Sequence, residues 1–148
     1  MQQVWCKQLL AEKNITIAFL AKIASKEPLS LRLAASNEFQ LFNNGKFTAY
    51  GPMRSAHGYS HVRTYRVFPD EAGMCTIAVL VCGSQINSYD RVNETPFFAA
   101  EVSHGKKILA RTADFKAFRM TDRLQKVQRY SFQRTFTESY RLTGSRAA

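Results

Sequence analysis

The chain has 148 residues, 45% of them hydrophobic, 22% charged and 12% aromatic, with eleven Phe, six Tyr and one Trp. That is the size and balance of one globular domain able to bury roughly two thirds of its unfolded surface, which excludes a second domain of comparable size. The net charge is +10, from 21 Lys and Arg against 11 Asp and Glu, yet the cations are spread along the chain with a moderate concentration from Lys106 to Arg146. Scattered in this way they read as a solvated surface and argue against a nucleic-acid partner.

The three cysteines are Cys6, Cys75 and Cys82. The last two lie seven apart in one apolar run, so on a strand they face opposite sides and cannot pair locally. They are expected to be buried free thiols in a reducing compartment. None belongs to a CxxC or stands near a His pair, so neither a metal nor another cofactor is expected. The opening MQQVWCKQLLAEKN lacks the apolar core and cleavage site of a secretory leader. Ile15 to Ala24 is interrupted by Lys22 and too short to cross a bilayer. The expected location is the cytoplasm, with no membrane partner.

In chain order, residues 1–14 are expected to be a lead-in with at most a short helix, its apolar side formed by Trp5, Leu9 and Leu10. Ile15 to Ala24 reads as a strand. Leu29, Leu31 and Leu33 alternate with polar or small residues, a half-buried strand. Glu38 to Asn43 follows with Phe39 and Leu41 on one face. Asn44-Gly45 then supplies the two positive-φ residues of a type I′ hairpin turn. Lys46 to Tyr50 is the return strand, expected to point Phe47 and Ala49 inward, and Gly51-Pro52 ends it because Pro cannot donate to a ladder.

Residues 53–60 read as a loop and His61 to Phe68 as an imperfectly alternating strand. Pro69 to Gly73 is a turn. Met74 to Cys82 is a continuous apolar run, expected to be a central strand covered on both faces. Gly83 to Pro96, which includes Asp90 and Glu94, is the longest polar loop. Phe97 to Val102 and Lys107 to Arg111 form a hairpin, and Phe115 to Phe118 one more short strand. Tyr130 to Tyr140 alternates and is expected to be the final strand. These short segments, with turn signals every ~8–12 residues, predict an all-β fold: an antiparallel two-sheet β-sandwich of the jelly-roll, galactose-binding-like kind. The sandwich is expected over residues 15–142, with 143–148 a disordered tail.

Catalytic patterns do not emerge. Glycoside hydrolysis needs two carboxylates at a set separation, but Asp70, Glu71, Asp90 and Glu94 fall in turn-like segments, where such residues bond their own backbone. Glu101 and Glu138 fall on predicted strands and are expected to face solvent. The nucleophile elbow G-x-S-x-G and phosphate-binding loops are absent from the sequence. His57 and His61 flank Tyr59, but Gly58 disfavours the helix that would join two histidines on one metal.

The stretch LRLAASNEFQLFNNGKFTAYGPMRSAHGYSHVRTY, from Leu31 to Tyr65, resembles the N-terminal β-sandwich of bacterial α-L-rhamnosidases and related glycoside hydrolases. Asn44, Gly45, Phe47, Gly51, Pro52 and Arg54 stand at the positions that carry the pattern. VQRYSFQRTFTESYRL is similar to the strand by which that domain exits. The resemblance, over Pro28 to Leu142, implies a non-catalytic accessory domain whose partner is the parent enzyme's catalytic domain, since the family's catalytic acids lie in a helical toroid that would require far more chain. Arg54 carries two readings. Its guanidinium ties the loop to carbonyls or an acidic neighbour, or, with His57 and Tyr59, it forms a contact loop that meets a rhamnose-containing carbohydrate at the sandwich rim or packs on the catalytic domain. The alternative functions are thus an autonomous carbohydrate-binding module and, third, a basic nucleic-acid-binding domain.

Overall fold

Period-2 burial builds nine strands in the computed structural model, which describes residues 1–89 and 92–141: β1 (Ile15–Ala24), β2 (Leu29–Ala35), β3 (Glu38–Asn43), β4 (Lys46–Gly51), β5 (Arg63–Val67), β6 (Met74–Gly83), β7 (Phe98–His104), β8 (Lys107–Arg111) and β9 (Lys116–Arg119). They form a five-stranded sheet in the order β4-β3-β6-β1-β9 and a four-stranded sheet in the order β5-β2-β7-β8, every pairing antiparallel. The expected two-sheet sandwich is therefore what the chain adopts. Only β3–β4 and β7–β8 are hairpins; the other six connections cross between sheets. The lead-in contributes a short 3-10 turn at Lys7–Leu9 and a bridge from Val4 to Phe98. The expected tail at 143–148, and Asp90 in its expected turn, lie outside the described residues.

The core is the interleaving of the two inner faces. Leu29, Leu31 and Leu33 of β2 are buried against Phe39 and Leu41 of β3, Ile77, Val79 and Val81 of β6, and Phe98 and Val102 of β7. Each such side chain contributes about 1.5–3 kcal/mol by leaving water. Aromatic rings bridge the layers: Phe19 of β1 stacks on Phe98 of β7 with centroids 4.1 Å apart, and Phe39 of β3 meets Tyr65 of β5 edge-on at 6.4 Å.

Three expectations are corrected. β6 is central, paired to β1 and β3, and Cys75, Ile77, Val79 and Val81 are buried along its inner face, but on its outer face Met74, Thr76, Ala78 and Leu80 are half-buried and Cys82 alone, beneath Arg123, is buried. The cause is architectural, because the second sheet covers one side only. Phe47 points outward and is 61% exposed. A bulge places Phe42 opposite Phe47 while Leu41 still pairs with Ala49, so Thr48 is the extra residue and the alternation changes phase there. Finally, Tyr130 to Tyr140 is not a strand. Every inner-face position is already filled, so its alternating side chains have no buried surface to occupy. The segment instead doubles back through isolated bridges Arg123–Tyr140 and Arg129–Phe136. At its tip the Arg129 guanidinium donates to the carbonyls of Phe132, Arg134 and Asn87.

Gly51 is required for a steric reason rather than a conformational one. A Cβ built there would stand 2.5 Å from Cζ of the buried Phe39 ring. Gly51→Ala is expected to destabilise the domain by about 1–3 kcal/mol through overpacking. Chemical denaturation of that variant checks this, and the double variant Gly51→Ala/Phe39→Leu should recover part of the loss.

Candidate functional site

The chain leaves β4 through a cis Gly51-Pro52 peptide and returns to the second sheet at Arg63. The intervening loop closes on itself. Ser55 Oγ donates to the Tyr59 carbonyl at 2.5 Å, the Tyr59 N–H to the Ala56 carbonyl at 3.0 Å, and His61 Nε2 bonds the Arg54 carbonyl at 3.0 Å. This folds residues 53–59 into one wall of a cleft of about 610 Å³ whose other wall is Val92 to Thr95. Arg54, His57 and Tyr59 are brought together on that wall. Tyr59 is 74% exposed. The Arg54 guanidinium makes no hydrogen bond or ion pair among the described residues, so it does not tie the loop to carbonyls or an acid as the first reading of it had it. Its five donors are unused among the described residues.

The facing wall is fixed by a residue the sequence did not single out. Asn37 adopts φ 56° and its Oδ1 accepts from Ser84 N at 2.9 Å, Ser84 Oγ at 2.5 Å and Gln85 N at 3.3 Å. Its own backbone N–H and Nδ2 donate to Glu94 Oε1 at 2.9 and 3.1 Å. Glu94 is thereby oriented at the cleft, opposite Arg54. An exposed aromatic face, a guanidinium and a carboxylate around one space suit a polyhydroxyl ligand.

At the other end of β4, Asn44 and Gly45 form the two-residue turn with φ 49° and 76°. Asn44 does more than tolerate that conformation, since its Oδ1 accepts from Thr76 N at 2.7 Å and its Nδ2 donates to the Phe68 carbonyl at 2.9 Å. Asn43, buried beside it, accepts from Phe68 N at 2.7 Å. The third histidine, His104, lies on the separate β7–β8 hairpin.

A second polar cluster lies on the outer face of the five-stranded sheet. Arg123, whose side chain is 7% exposed, donates through Nη1 to Thr16 Oγ1 at 2.6 Å and contacts Cys82 Sγ at 2.7 Å, with Nη2 3.5 Å from Glu138 Oε1. Burial works against its charge, but Cys82, Glu138 and Tyr140 outweigh that and hold its pKa above the ordinary value. No sequence signal marked this arginine, because its partners come from β1, β6 and the C-terminal segment. On the inner face, burial raises the Cys75 thiol pKa against the opposing hydrogen bond from Asn43, with Asp70 adding to the rise. Both Cys75 and Cys82 are buried free thiols.

Most carboxylates are committed to structure. Glu101 pairs with Arg32 at 3.1 Å, Asp114 Oδ2 accepts from Arg111 N, Asp70 Oδ1 from Met74 N, and Glu12 lies 3.7 Å from Arg119. Glu101 sits on β7 as expected but is half-buried against Arg32, and Glu138 is not on a strand. Among the described residues no group of three or more His, Cys, Asp or Glu could hold a metal ion, and no helix is long and apolar enough to cross a membrane.

No family model and no curated protein matches this sequence. Among solved structures, the fold matches a GH78 family rhamnosidase of Bacillus sp. GL1 with a TM-score of 0.81 and 22% sequence identity, over 93% of this chain and 15% of that one. The resemblance read from the hairpin and the Gly-Pro corner is thus met in three dimensions: the chain has the fold of a segment amounting to 15% of a rhamnosidase's length.

Proposed function

We propose that this chain is a non-catalytic accessory domain of a cytoplasmic α-L-rhamnosidase-like glycoside hydrolase, packing on the catalytic domain and orienting it. The observation that carries the reading is the match of nearly the whole sandwich to part of a rhamnosidase. The outer face of the five-stranded sheet supports it. Strand registers align Phe118, Ala18, Leu80, Gln40 and Tyr50 in one row, and Lys116, Leu20, Ala78, Phe42 and Phe47 in the next. Apart from Gln40 and Lys116 these residues are apolar, and their half-buried or exposed side chains form a largely apolar surface of the kind that one domain presents to another.

The purified chain should release no chromophore from an aryl α-L-rhamnoside, and turnover by it would sink the non-catalytic reading. Within the full-length parent, Phe42→Lys should lower the melting temperature of the catalytic part by several degrees while barely affecting the isolated chain. Equal, small effects in both would remove the docking role.

A second reading, an autonomous carbohydrate-binding module, is favoured by one observation: Arg54, His57 and the exposed Tyr59 line a single cleft facing Glu94.

A further inference from the structure

Of the three cysteines, Cys82 is set apart by what surrounds its sulfur. Cys75 is sealed in the core, and Cys6 is partly exposed in the lead-in. Cys82, 8% exposed, lies on the outer face of β6, where Arg123 and Tyr140 of the C-terminal segment cross the end of the sheet. Its Sγ accepts from Arg123 Nη1 at 2.7 Å, and the same nitrogen donates to Thr16 Oγ1 at 2.6 Å. The Cys82 S–H is directed to Asn14 Oδ1, 3.9 Å away. A cavity of about 30 Å³ adjoins this cluster, lined by Thr16, Glu38, Cys82, Arg123, Glu138 and Tyr140 among others.

We propose that this cavity is an oxidation site, in which hydrogen peroxide converts Cys82 to a sulfenic acid. Such a site goes beyond the accessory-domain reading and stands or falls without it.

Three observations point to a small neutral oxidant. The first is size. The cavity holds about two water-sized groups, which is one hydrogen peroxide molecule, and leaves no room for an alkyl hydroperoxide. The second is an unmet donor. The Arg123 side chain is only 7% exposed, yet its Nε–H has no hydrogen-bond partner. A buried donor without an acceptor is costly, and a peroxide oxygen, or the sulfenyl oxygen it leaves behind, supplies one. The third is charge. Glu138 Oε1 stands 3.5 Å from Arg123 Nη2, and Glu38 lines the same cavity. Two carboxylates repel an anionic oxidant and leave an uncharged one unopposed.

The chemistry balances with that oxidant alone. Cys82 gives up its proton and its sulfur attacks one peroxide oxygen; the S–O bond forms as the O–O bond breaks. The displaced hydroxide takes up the proton and leaves as water. Sulfur loses two electrons and the peroxide gains them. Negative charge passes to the departing oxygen in the transition state, and the permanently charged guanidinium beside the sulfur stabilises it. Thr16 fixes the direction of the nitrogen that does so. Cys75 faces the opposite side of β6, so it is not placed to resolve the sulfenic acid as a disulfide, and the product persists long enough to be trapped.

The cavity borders the apolar rows at Gln40 and Leu80, which a docked domain would shade, so the sample is the purified chain with that face open. It is treated with hydrogen peroxide and dimedone, which traps sulfenic acids, and the labelled cysteine is located by peptide mass mapping. Cys82 should be labelled about tenfold faster than the more exposed Cys6, and Cys75 should stay unlabelled. With tert-butyl hydroperoxide in place of hydrogen peroxide, Cys82 labelling should fall about tenfold. Arg123→Gln should slow labelling by peroxide about tenfold while alkylation of Cys82 by iodoacetamide holds or rises. A thiol that the arginine merely shields would instead react faster with both reagents. Should that variant fail to fold, Glu138→Gln, at an exposed side chain, should speed labelling about twofold by leaving the guanidinium less neutralised. Labelling of Cys6 ahead of Cys82, equal rates with the two peroxides, parallel changes with both reagents in Arg123→Gln, or slower labelling in Glu138→Gln would each overturn the site.

Discussion

Phe98→Ala is expected to remove about 3–5 kcal/mol of unfolding free energy, a large share of what a domain this size possesses. Phe98 is wholly buried and joins three parts of the molecule at once. Its ring lies nearly parallel to that of Phe19 from the opposite sheet, at 4.1 Å and 10°, and Phe115 meets it edge-on at 5.2 Å. Trp5 packs on Phe19 at 6.1 Å, and the Phe98 backbone exchanges two 2.9 Å hydrogen bonds with Val4. Truncation therefore leaves a cavity between the layers that neither sheet can close without moving the other. Urea denaturation with an unchanged slope is the measurement. A loss under about 1 kcal/mol would show that the layers relax freely into the space. Phe118→Ala, on the exposed outer face, is the control and should change stability little.

Asn37→Ala is expected to cost about 3–4 kcal/mol, from lost acceptors together with strain at a positive φ. Alanine would leave Ser84 N, the buried Ser84 hydroxyl and Gln85 N without the oxygen they share, and would adopt φ 56° less readily than asparagine. Asn37→Gly separates the contributions, because it keeps the backbone conformation accessible and loses only the side-chain bonds. It should recover about 1 kcal/mol relative to alanine. The loss should also reach the cleft, since Glu94 is oriented through Asn37. Amide exchange of residues 92–95 should accelerate more than that of β2. Protection unchanged in that segment would show that the cleft wall is held by something else.

The strand layout was legible because most of it is a property of single segments. Leu29, Leu31 and Leu33 alternate within β2, and Asn44-Gly45 encodes its own turn. What was not legible depends on partners distant in the chain. Phe47 alternates with Ala49 on paper, and nothing local to β4 announces that Thr48 is an extra residue; the bulge exists only relative to β3. Tyr130 to Tyr140 has a strand's alternation, but that pattern makes a strand only where an inner face is vacant. In the candidate site, the types of Arg54, His57 and Tyr59 marked them as a group, whereas Asn37 and Glu94 became visible only when the fold set positions 57 residues apart at hydrogen-bond distance. Arg123 escaped for the same reason, with Thr16 107 residues away.

The six crossings between sheets have a kinetic consequence. The first strand lies between β6 and β9, so its neighbours are supplied by residues 74–83 and 116–119. With only two hairpins to begin from, little native contact is local, and a chain of such high contact order folds slowly, on the millisecond-to-second scale. During translation β1 waits with one edge open until Lys116–Arg119 have cleared the ribosome, so the five-stranded sheet cannot close before nearly the whole sandwich has been synthesised.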